Sequence, residues 1–151
     1  MSETPIARNL FVGEKAACDL RRAEDPARRP AIVHLDDMCG VKDGPLDLFV
    51  PIPDDENDGP AMLEPLLPYI FTFIDANRAN RPVLVHCTAG ASRSPTVALL
   101  FLLHVDEIEA VSDFRARHPG IPTNPGFKGM LFNAENAAWD ARKKKAWKGE
   151  D

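Results

Sequence analysis

One stretch, residues 81–103, constrains the fold of this 151-residue chain more than any other. Residues 81–85 form a compact apolar and β-branched run, which is typical of a buried strand, and a loop with a glycine follows. Residues 96–103 are apolar on every side, which indicates a helix buried within a domain. A loop between a strand and a helix points free backbone N–H groups and the positive end of the helix dipole at one place. The sequence therefore predicts an anion site in this loop, and phosphate is the expected anion.

Two side chains can make this anion site a reaction centre. Cys87 opens the loop, and a thiol near a helix N-terminus ionises readily to the thiolate, which is a nucleophile. Arg93 closes the loop, and its planar guanidinium can bind two phosphate oxygens, more tightly in the transition state than before it. Glycine in the loop allows a tight turn without a Cβ. The residues between the two ends are predicted to bind substrate together with Arg93: Thr88, Ala89, Gly90, Ala91 and Ser92.

The segment from His86 to Ser94 resembles the H-C-x5-R-S/T loop of the cysteine-dependent protein tyrosine phosphatase superfamily. Its A-G-x-S-R-S sequence is similar to that of the dual-specificity phosphatase family, of the compact, atypical type. A cysteine and an arginine at this spacing often occur by chance. In that case the cysteine is an ordinary core residue and the arginine an ordinary surface residue. Here the strand, the helix and the accompanying His, Gly and Ser match as well. The resemblance covers roughly residues 9–136, although only the loop is highly specific.

The resemblance implies supporting roles for residues around the loop. It implies that His86 holds the loop and favours the thiolate form of Cys87, and that Ser94 assists breakdown of a phosphocysteine intermediate. Asn124 precedes the last predicted helix and is suited to cap it. In the family, an asparagine at this place steadies the phosphate loop, although Thr123 stands here where the family usually has proline.

An acidic stretch, residues 53–60, is predicted to be a loop because of its Pro, Gly and Asp content. Hydrolysis of a phosphate ester needs a proton donor for the leaving oxygen, and an acid on a mobile loop can supply it. Residues 50–54 match the family pattern that ends in the general acid, so the resemblance assigns this role to Asp54. Asp55 is the second candidate, and a solvated acidic turn without a catalytic part is the alternative reading.

The pattern of the rest of the chain predicts an α/β fold: a single domain with a short, largely parallel central sheet of about four to five strands, flanked by helices. The particular phosphatase topology comes from the resemblance. Ala16, Ala17 and Leu20 are expected to face inward, and Asp106 with Glu109 resembles a capping box. The expected elements are strands at 9–13, 31–35, 46–52 and 81–85, and helices at 14–22, from 67 or 68 to 77, at 96–103, at 106–118 and from 125.

Length and composition narrow the location and the partners. The chain suits one catalytic domain, residues 1–151, in which residues 137–151 are the basic end of a helix. A net charge of -5 gives no reason to expect nucleic acid as a partner. The first residues lack signal-peptide features and no apolar run is long enough to cross a membrane. We therefore expect a cytoplasmic monomer that does not bind a membrane.

The cysteines and histidines give no sign of a metal or another cofactor. Three widely spaced cysteines form neither a disulfide framework nor a metal quartet. Cys18 and Cys39 are expected to be buried. The sequence does not decide whether either of them forms a disulfide with Cys87. The other histidines match no metal-binding spacing and are expected to be structural or exposed: His34, His104 and His118.

The predicted reaction is two-step hydrolysis of a phosphomonoester. Cys87 attacks phosphorus while Arg93 and loop amides bind the oxygens, and Asp54 protonates the leaving group before water cleaves the phosphocysteine. The variable loop positions carry no Lys or Arg, whereas relatives that act on phosphoinositides often have basic residues there. The resemblance therefore favours phosphotyrosine in a protein or peptide and leaves phosphoserine and phosphothreonine open. Phosphate, vanadate or sulfate is expected to bind in the loop. The alternatives are a non-catalytic phosphate-binding module, a phosphatase of a non-protein substrate and a rhodanese-type sulfurtransferase.

Overall fold

The computed structural model describes residues 3–37 and 43–149, in which strands alternate with helices. Residues 38–42, which include Cys39, lie outside the described residues. In chain order the elements are β1 (Glu3–Ala7), β2 (Leu10–Gly13), α1 (Lys15–Arg22), β3 (Ala31–His34), β4 (Asp47–Phe49), α2 (Asp58–Leu63), a 3-10 turn (Glu64–Leu66), α3 (Leu67–Arg78), β5 (Val83–His86), α4 (Arg93–His104), α5 (Ile108–Arg117) and α6 (Pro125–Lys148).

The strands form a five-stranded sheet in the order β1-β2-β5-β3-β4 across the described residues. Neighbours among β2, β5, β3 and β4 run parallel, whereas β1 runs antiparallel to β2. β5 therefore lies at the centre, between β2 and β3. Because the carboxyl ends of parallel strands meet at one edge of a sheet, the segments that follow these strands lie together. The predicted α/β fold with a short, largely parallel sheet is confirmed.

The central helix α4 is buried almost throughout, from Ser94 to Leu102, as its apolar sequence predicts. α6 packs on α4 and contributes the buried side chains of Phe127 and Leu131. In the described part of the chain, no helix combines the length and the apolar composition that crossing a membrane requires. α4 therefore starts at a fixed place, which matters because the predicted phosphate loop ends there.

The sheet has a core on each face. Side chains alternate between the two faces along a strand. Val85 of β5 belongs to the large core that includes α4, whereas the neighbouring Leu84 packs with Ala17 and Cys18 of α1. β5 is therefore covered on both sides.

The inward face of α1 differs from its prediction. Ala17 and Cys18 are buried, whereas Ala16 is exposed and Leu20 is 67% exposed. Residues of a helix are about 100° apart, so a buried face centred between Ala17 and Cys18 leaves Leu20 about 110° away from it. The prediction that Ala16 and Leu20 face inward was wrong, because α1 is rotated so that Ala17 and Cys18 face the sheet.

Two strands differ from the sequence expectation. β1 was not predicted, and it contains Pro5, which an edge strand accommodates because one side of its backbone needs no ladder partner. The predicted strand over residues 46–52 narrows to β4. Its alignment with β3 nevertheless continues, since the Val50 N–H donates to the His34 carbonyl and the Ile52 N–H donates to the Leu35 carbonyl.

The capping box predicted before α5 was wrong. Asp106 adopts φ 63°, which is outside the helical region, and α5 begins only at Ile108. The carboxylates of Asp106 and Glu109 both bind the guanidinium of Arg142 from α6 instead. Arg142, which belongs to the predicted basic end of the last helix, thus forms ion pairs with Glu109 in α5 and with Asp106 just before it.

The acidic stretch is irregular only in its first part. Residues 53–57 belong to no helix or strand, and α2 begins at Asp58, inside the predicted loop. Pro65 lies in the 3-10 turn and Pro68 in the first turn of α3, where a missing N–H costs little. The helix was predicted to start at residue 67 or 68, and α3 begins at Leu67, with α2 and the 3-10 turn before it.

Candidate active site

The phosphate loop, residues 87–92, joins the end of β5 to the start of α4. The Cys87 side chain is only 2% exposed, and its Sγ accepts a hydrogen bond from the Gly90 N–H at 3.2 Å. Ser94 Oγ lies 3.3 Å from the same sulfur. The sulfur therefore lies at the N-terminus of α4, beside a backbone N–H donor and the Ser94 hydroxyl.

Gly90 is required by the path of the phosphate loop. Its φ is +73°, a left-handed conformation that side chains with a Cβ rarely adopt. A Cβ at this position would lie 3.1 Å from the Gly13 carbonyl carbon and 3.2 Å from the Glu14 nitrogen. The turn of the loop therefore packs directly against the backbone that follows β2.

Arg93 is held across the phosphate loop by neighbouring carbonyls. Its Nη1 donates to the Ile52 carbonyl at 2.9 Å, and its Nη2 donates to Thr88 Oγ1 at 3.2 Å. The Thr88 hydroxyl in turn donates to the carboxylate of the buried Asp36 at 3.0 Å. Arg93 Nε is buried and has no hydrogen-bond partner among the described residues. Its N–H is thus suited to an anion oxygen in the loop.

Ser92 and Asn124 connect the phosphate loop to the last helix. Ser92 Oγ accepts from the Asn124 N–H at 2.9 Å and lies 2.7 Å from Thr123 Oγ1. Asn124 Oδ1 accepts from the Gly126 N–H at 2.9 Å, so the predicted N-cap of α6 is confirmed. The Ala91 carbonyl is also bound here, by the Thr123 N–H at 3.1 Å.

The acid loop, residues 53–57, contains both candidates for the general acid. Asp54 is exposed, and its Oδ1 accepts from Asn124 Nδ2 at 2.9 Å, which places it beside the phosphate loop. The Asp55 carboxylate instead accepts from the N–H groups of Asp58 at 2.6 Å and Asn57 at 2.9 Å. These backbone bonds lower the pKa of Asp55, so it stays ionised at the start of α2.

The remaining predicted binding residues lie in the phosphate loop itself. Thr88 and Ala89 are exposed, and Gly90 and Ala91 are half-buried, whereas Ser92 is buried. The Thr88 hydroxyl is turned to Asp36 and Arg93, so it is engaged within the site although the residue is exposed. All the residues predicted to bind phosphate or to support the loop therefore surround one place, the edge where β5 ends.

Sequence reasoning missed a contact beneath the loop. His86 Nε2 lies 2.8 Å from His34 Nδ1, both rings are fully buried, and His34 Nε2 lies 2.8 Å from Asp47 Oδ1. Cys18 Sγ lies 3.6 Å from His34 Nδ1. The signal was the histidine that ends each of two buried strands, but only the sheet order shows that these strands are neighbours.

Burial lowers the pKa of both histidines. For His86 the positive charge of a protonated His34 adds to the effect, and the pKa falls to about 4. His86 is therefore neutral near pH 7. Cys18 and Cys87 form no disulfide in the described part of the chain, and they belong to cores on opposite faces of the sheet.

This fold and loop define a class of protein. A parallel sheet with a buried cysteine after its central strand, and an arginine at the start of the buried helix that follows, is the arrangement of cysteine-dependent phosphatases. The family model "Dual specificity phosphatase, catalytic domain" matches residues 41–137, and the chain belongs to this family.

Individual relatives agree with this assignment. The chain is 26% identical over 141 residues to the tyrosine-protein phosphatase vhp-1 of Caenorhabditis elegans, covering 88% of this chain and 21% of that protein. It is 29% identical over 143 residues to the dual specificity protein phosphatase PHS1 of Arabidopsis thaliana, covering 86% and 15%. The crystal structure of human DUSP28 is similar, with a TM-score of 0.67, 26% identity and coverage of 91% and 95%. The chain thus spans about a fifth or less of these two curated relatives.

Proposed function

We propose that this chain is a protein phosphatase domain that hydrolyses phosphotyrosine, and also phosphoserine or phosphothreonine, through a phosphocysteine. The observation that carries the proposal is the shared loop. The Gly90 N–H at 3.2 Å from Cys87 Sγ and the Arg93 guanidinium belong to the same turn. A phosphoryl group in this turn would meet the nucleophile on one side and fixed donors around its oxygens.

In the first step, the Cys87 thiolate forms a bond to phosphorus and the bond from phosphorus to the ester oxygen breaks. Arg93 Nε and the loop N–H groups bind the phosphoryl oxygens. The leaving oxygen takes a proton from Asp54. Asn124 supports this step because it bonds to Asp54 and to Ser92 of the phosphate loop at the same time.

In the second step, a water oxygen attacks phosphorus and the bond to sulfur breaks, which returns the electron pair to Cys87. Asp54, now ionised, takes the proton of the attacking water. Ser94 Oγ, at 3.3 Å from Sγ, donates a hydrogen bond to the leaving thiolate. Inorganic phosphate is released, and no metal or cofactor takes part.

The choice of Asp54 over Asp55 is supported by their contacts. The Asp55 carboxylate is engaged by two backbone N–H groups, which hold it at the start of α2 and lower its pKa. Asp54 lies beside the phosphate loop through Asn124. Asp54 can therefore reach the leaving oxygen, whereas Asp55 fixes the start of α2.

The surroundings of the phosphate loop support phosphoprotein or phosphopeptide substrates. Its exposed residues Thr88 and Ala89 carry no positive charge that would bind a second phosphate. The carboxylates of Asp36 and Asp54 are joined to the loop through Thr88 and Asn124. Negative charges there oppose the binding of substrates with several phosphates. Phosphate, vanadate and sulfate fit the loop as single anions.

The chemistry of the thiolate and the net charge of the chain also bear on its location and assembly. A thiolate enzyme needs a reducing compartment, so we place residues 1–151 in the cytoplasm as one catalytic domain that works as a monomer. The net charge of -5 supports a function without nucleic acid or a membrane surface.

Metal-free hydrolysis assays with reductant test the proposal, using p-nitrophenyl phosphate and a phosphotyrosine peptide. Cys87→Ser should abolish turnover of both, and orthovanadate should inhibit the native chain. Tyrosine is a poorer leaving group than p-nitrophenol, so Asp54→Ala should reduce peptide hydrolysis by about 10²-fold and p-nitrophenyl phosphate hydrolysis much less.

Asp55→Ala is the matched control. It should leave the ratio of the peptide rate to the p-nitrophenyl phosphate rate as it is in the native chain. Turnover that survives in Cys87→Ser contradicts the mechanism. A native chain that binds the phosphopeptide without turnover would instead be a phosphate-binding module, and one that hydrolyses p-nitrophenyl phosphate but no phosphopeptide would have a non-protein substrate.

A further inference from the structure

The Arg93 guanidinium is held by residues that follow three different strands. Its Nη1 donates to the carbonyl of Ile52, beyond β4, at 2.9 Å and to the carbonyl of Leu35, directly after β3, at 3.4 Å. Its Nη2 donates at 3.2 Å to the hydroxyl of Thr88, in the phosphate loop after β5. Because β4, β3 and β5 are parallel neighbours, the segments that follow them meet at one edge of the sheet, around this guanidinium.

The hydroxyl of Thr88 has a fixed direction. It donates to the carboxylate of Asp36 at 3.0 Å, and a hydroxyl has only one hydrogen to donate. An arginine has no acceptor, so the Arg93 N–H must meet a lone pair of the Thr88 oxygen. Both contacts form together only when the hydroxyl hydrogen points to Asp36. The three side chains thus make a directed row, in which Arg93 donates to Thr88 and Thr88 donates to Asp36.

The backbone at both Asp36 and Thr88 is anchored. Asp36 is only 3% exposed and follows Leu35, whose N–H donates to the His86 carbonyl at 3.0 Å. The Thr88 carbonyl accepts from the N–H of Lys15, the first residue of α1, at 3.2 Å. The side chain of Thr88 belongs to an exposed residue, and such a side chain changes rotamer readily unless hydrogen bonds hold it. The row therefore fixes a hydroxyl on a backbone that is already in place.

The row determines which edge of the guanidinium is left for substrate. Nε of Arg93 is buried and has no hydrogen-bond partner among the described residues. Nη2 carries two N–H groups, and the Thr88 hydroxyl accepts from one of them. Nε and Nη2 together form the planar fork with which an arginine binds two oxygens of a phosphoryl group. A rotation of the guanidinium plane would therefore misdirect both donors at once.

We propose that Asp36 is a positioning residue that, through the Thr88 hydroxyl, sets the Arg93 guanidinium in its phosphoryl-binding orientation before substrate binds. This inference rests on the proposed function of Arg93 in binding phosphoryl oxygens. Donors that are already oriented need no reorganisation as charge develops on those oxygens, so they lower the barrier to reaction. The sequence predicts that Thr88 binds substrate, and here its hydroxyl acts on substrate through Arg93.

Thr88→Val removes the hydroxyl and keeps the shape of an exposed side chain. We expect kcat to fall about tenfold with KM within about twofold, since a hydrogen bond that serves the transition state is lost. The loss should be equal for p-nitrophenyl phosphate and the phosphotyrosine peptide, because Arg93 acts on oxygens that both substrates have. Thr88→Ser, which keeps the hydroxyl, should restore most of the lost rate. Native kcat in Thr88→Val, or no rescue by Thr88→Ser, would overturn the proposal.

Thr72→Val is the matched control outside the site. Thr72 is an exposed residue of α3, and its hydroxyl donates to the Pro68 carbonyl at 2.8 Å. The same chemical change at this position should leave kcat and KM at their native values. A loss in Thr72→Val equal to that in Thr88→Val would mean that the row has no special part in the reaction, and the proposal would be wrong.

A double-mutant cycle tests whether Asp36 acts through Thr88. Asp36→Ala alone should lower kcat about tenfold, but in the Thr88→Val background it should cost less than about twofold more, because the row is already broken. The Asp36 carboxylate also acts on the pKa of His86, against the larger effects of burial and His34, and a contribution by that route would persist in this background. A loss of about a hundredfold in the double variant would contradict the proposal. If Asp36→Ala does not fold, the Thr88 variants decide the question.

Binding of orthovanadate, measured by calorimetry, tests the row without turnover. Because vanadate resembles the transition state, its affinity should fall about tenfold in Thr88→Val, whereas the affinity for inorganic phosphate should fall less than about threefold. A native chain that binds vanadate but hydrolyses neither substrate would refute the proposed function, and its vanadate affinities would still test the row. An active native chain whose vanadate affinity is unchanged in Thr88→Val would refute the row alone.

Discussion

The phosphate loop and the acid loop meet at one edge of the sheet but are held in different ways. The phosphate loop lies between two buried elements, and Cys87 and Ser92 within it are themselves buried. The acid loop is exposed along its whole length and is tied to its neighbour by the bond from Asn124 to Asp54. Binding of phosphoryl oxygens needs donors that do not reorganise, whereas a proton donor must approach and leave. The two loops therefore separate two tasks of one reaction.

The largest effect is expected where the phosphate loop carries charge. Arg93→Lys replaces a planar fork by a single ammonium and removes Nε, so kcat/KM should fall by about 10³-fold. The loss should appear with the peptide and with p-nitrophenyl phosphate alike, because oxygen binding does not depend on the leaving group. Kinetics on both substrates check this. A loss confined to the peptide would place Arg93 in substrate recognition outside the loop.

The backbone of the phosphate loop should be the next most sensitive feature. Gly90→Ala forces a Cβ into a left-handed conformation and to 3.1 Å from the Gly13 backbone. We expect a loss of about 1–3 kcal/mol in unfolding free energy and about 10²-fold in kcat because the donors shift. Gly120, which has open space and no positive φ, is the matched control, and Gly120→Ala should be active. Urea unfolding and kinetics measure both, and an active Gly90→Ala would contradict the fixed loop.

The acid loop should respond to one contact in a smaller and more selective way. A Cβ on Gly126 would lie 1.9 Å from the Glu56 carbonyl oxygen, so Gly126→Ala must push the acid loop away from α6. Peptide hydrolysis should fall by about tenfold, with vanadate affinity unchanged. Gly129 is one turn further along α6 and has open space, so Gly129→Ala is the control and should behave as the native chain. Weaker vanadate binding in Gly126→Ala would show that the two loops are not independent.

The smallest expected effect is on the pH dependence of the free energy of unfolding. It comes from His86, whose ring is buried beneath the phosphate loop. The pKa of His86 is about 4 in the folded chain, below its ordinary value of 6.5. Between these pH values the unfolded chain binds a proton that the folded chain excludes, so the free energy of unfolding should fall as pH drops from 6.5 to 4. His86→Gln should flatten that slope, and the exposed His104→Gln should not. Thermal unfolding at several pH values measures it, and equal slopes in both variants would contradict a neutral buried His86.

The phosphate loop was predictable because its signals are local. An apolar run, a glycine and a second apolar run follow one another, and Asn124 next to proline marks the start of α6 in the same way. Asp106 shows the limit of such reasoning, since its capping pattern was present but its side chain pairs with Arg142, 36 residues later. Burial of a helix face is another limit, because the exposure of Leu20 depends on how α1 is rotated against the sheet.

The contact of His34 with His86 could not be predicted from the chain alone. The two residues are 52 positions apart, and their meeting requires β3 and β5 to be neighbours in the right register. The family resemblance suggested a role for His86 but gave no partner for it. The edge strand β1 was missed for a different reason, since Pro5 argues against a strand unless the strand lies at an edge.

The central claim is that phosphate passes through Cys87, and intact-mass spectrometry of acid-quenched enzyme tests it most directly. During turnover of p-nitrophenyl phosphate, the native chain should carry one phosphoryl group on Cys87. The adduct should accumulate in Ser94→Ala, where departure of the thiolate is slowed, and should be absent from Cys87→Ser. Turnover without any adduct in Ser94→Ala, or a phosphoryl group that persists in Cys87→Ser, would contradict the account.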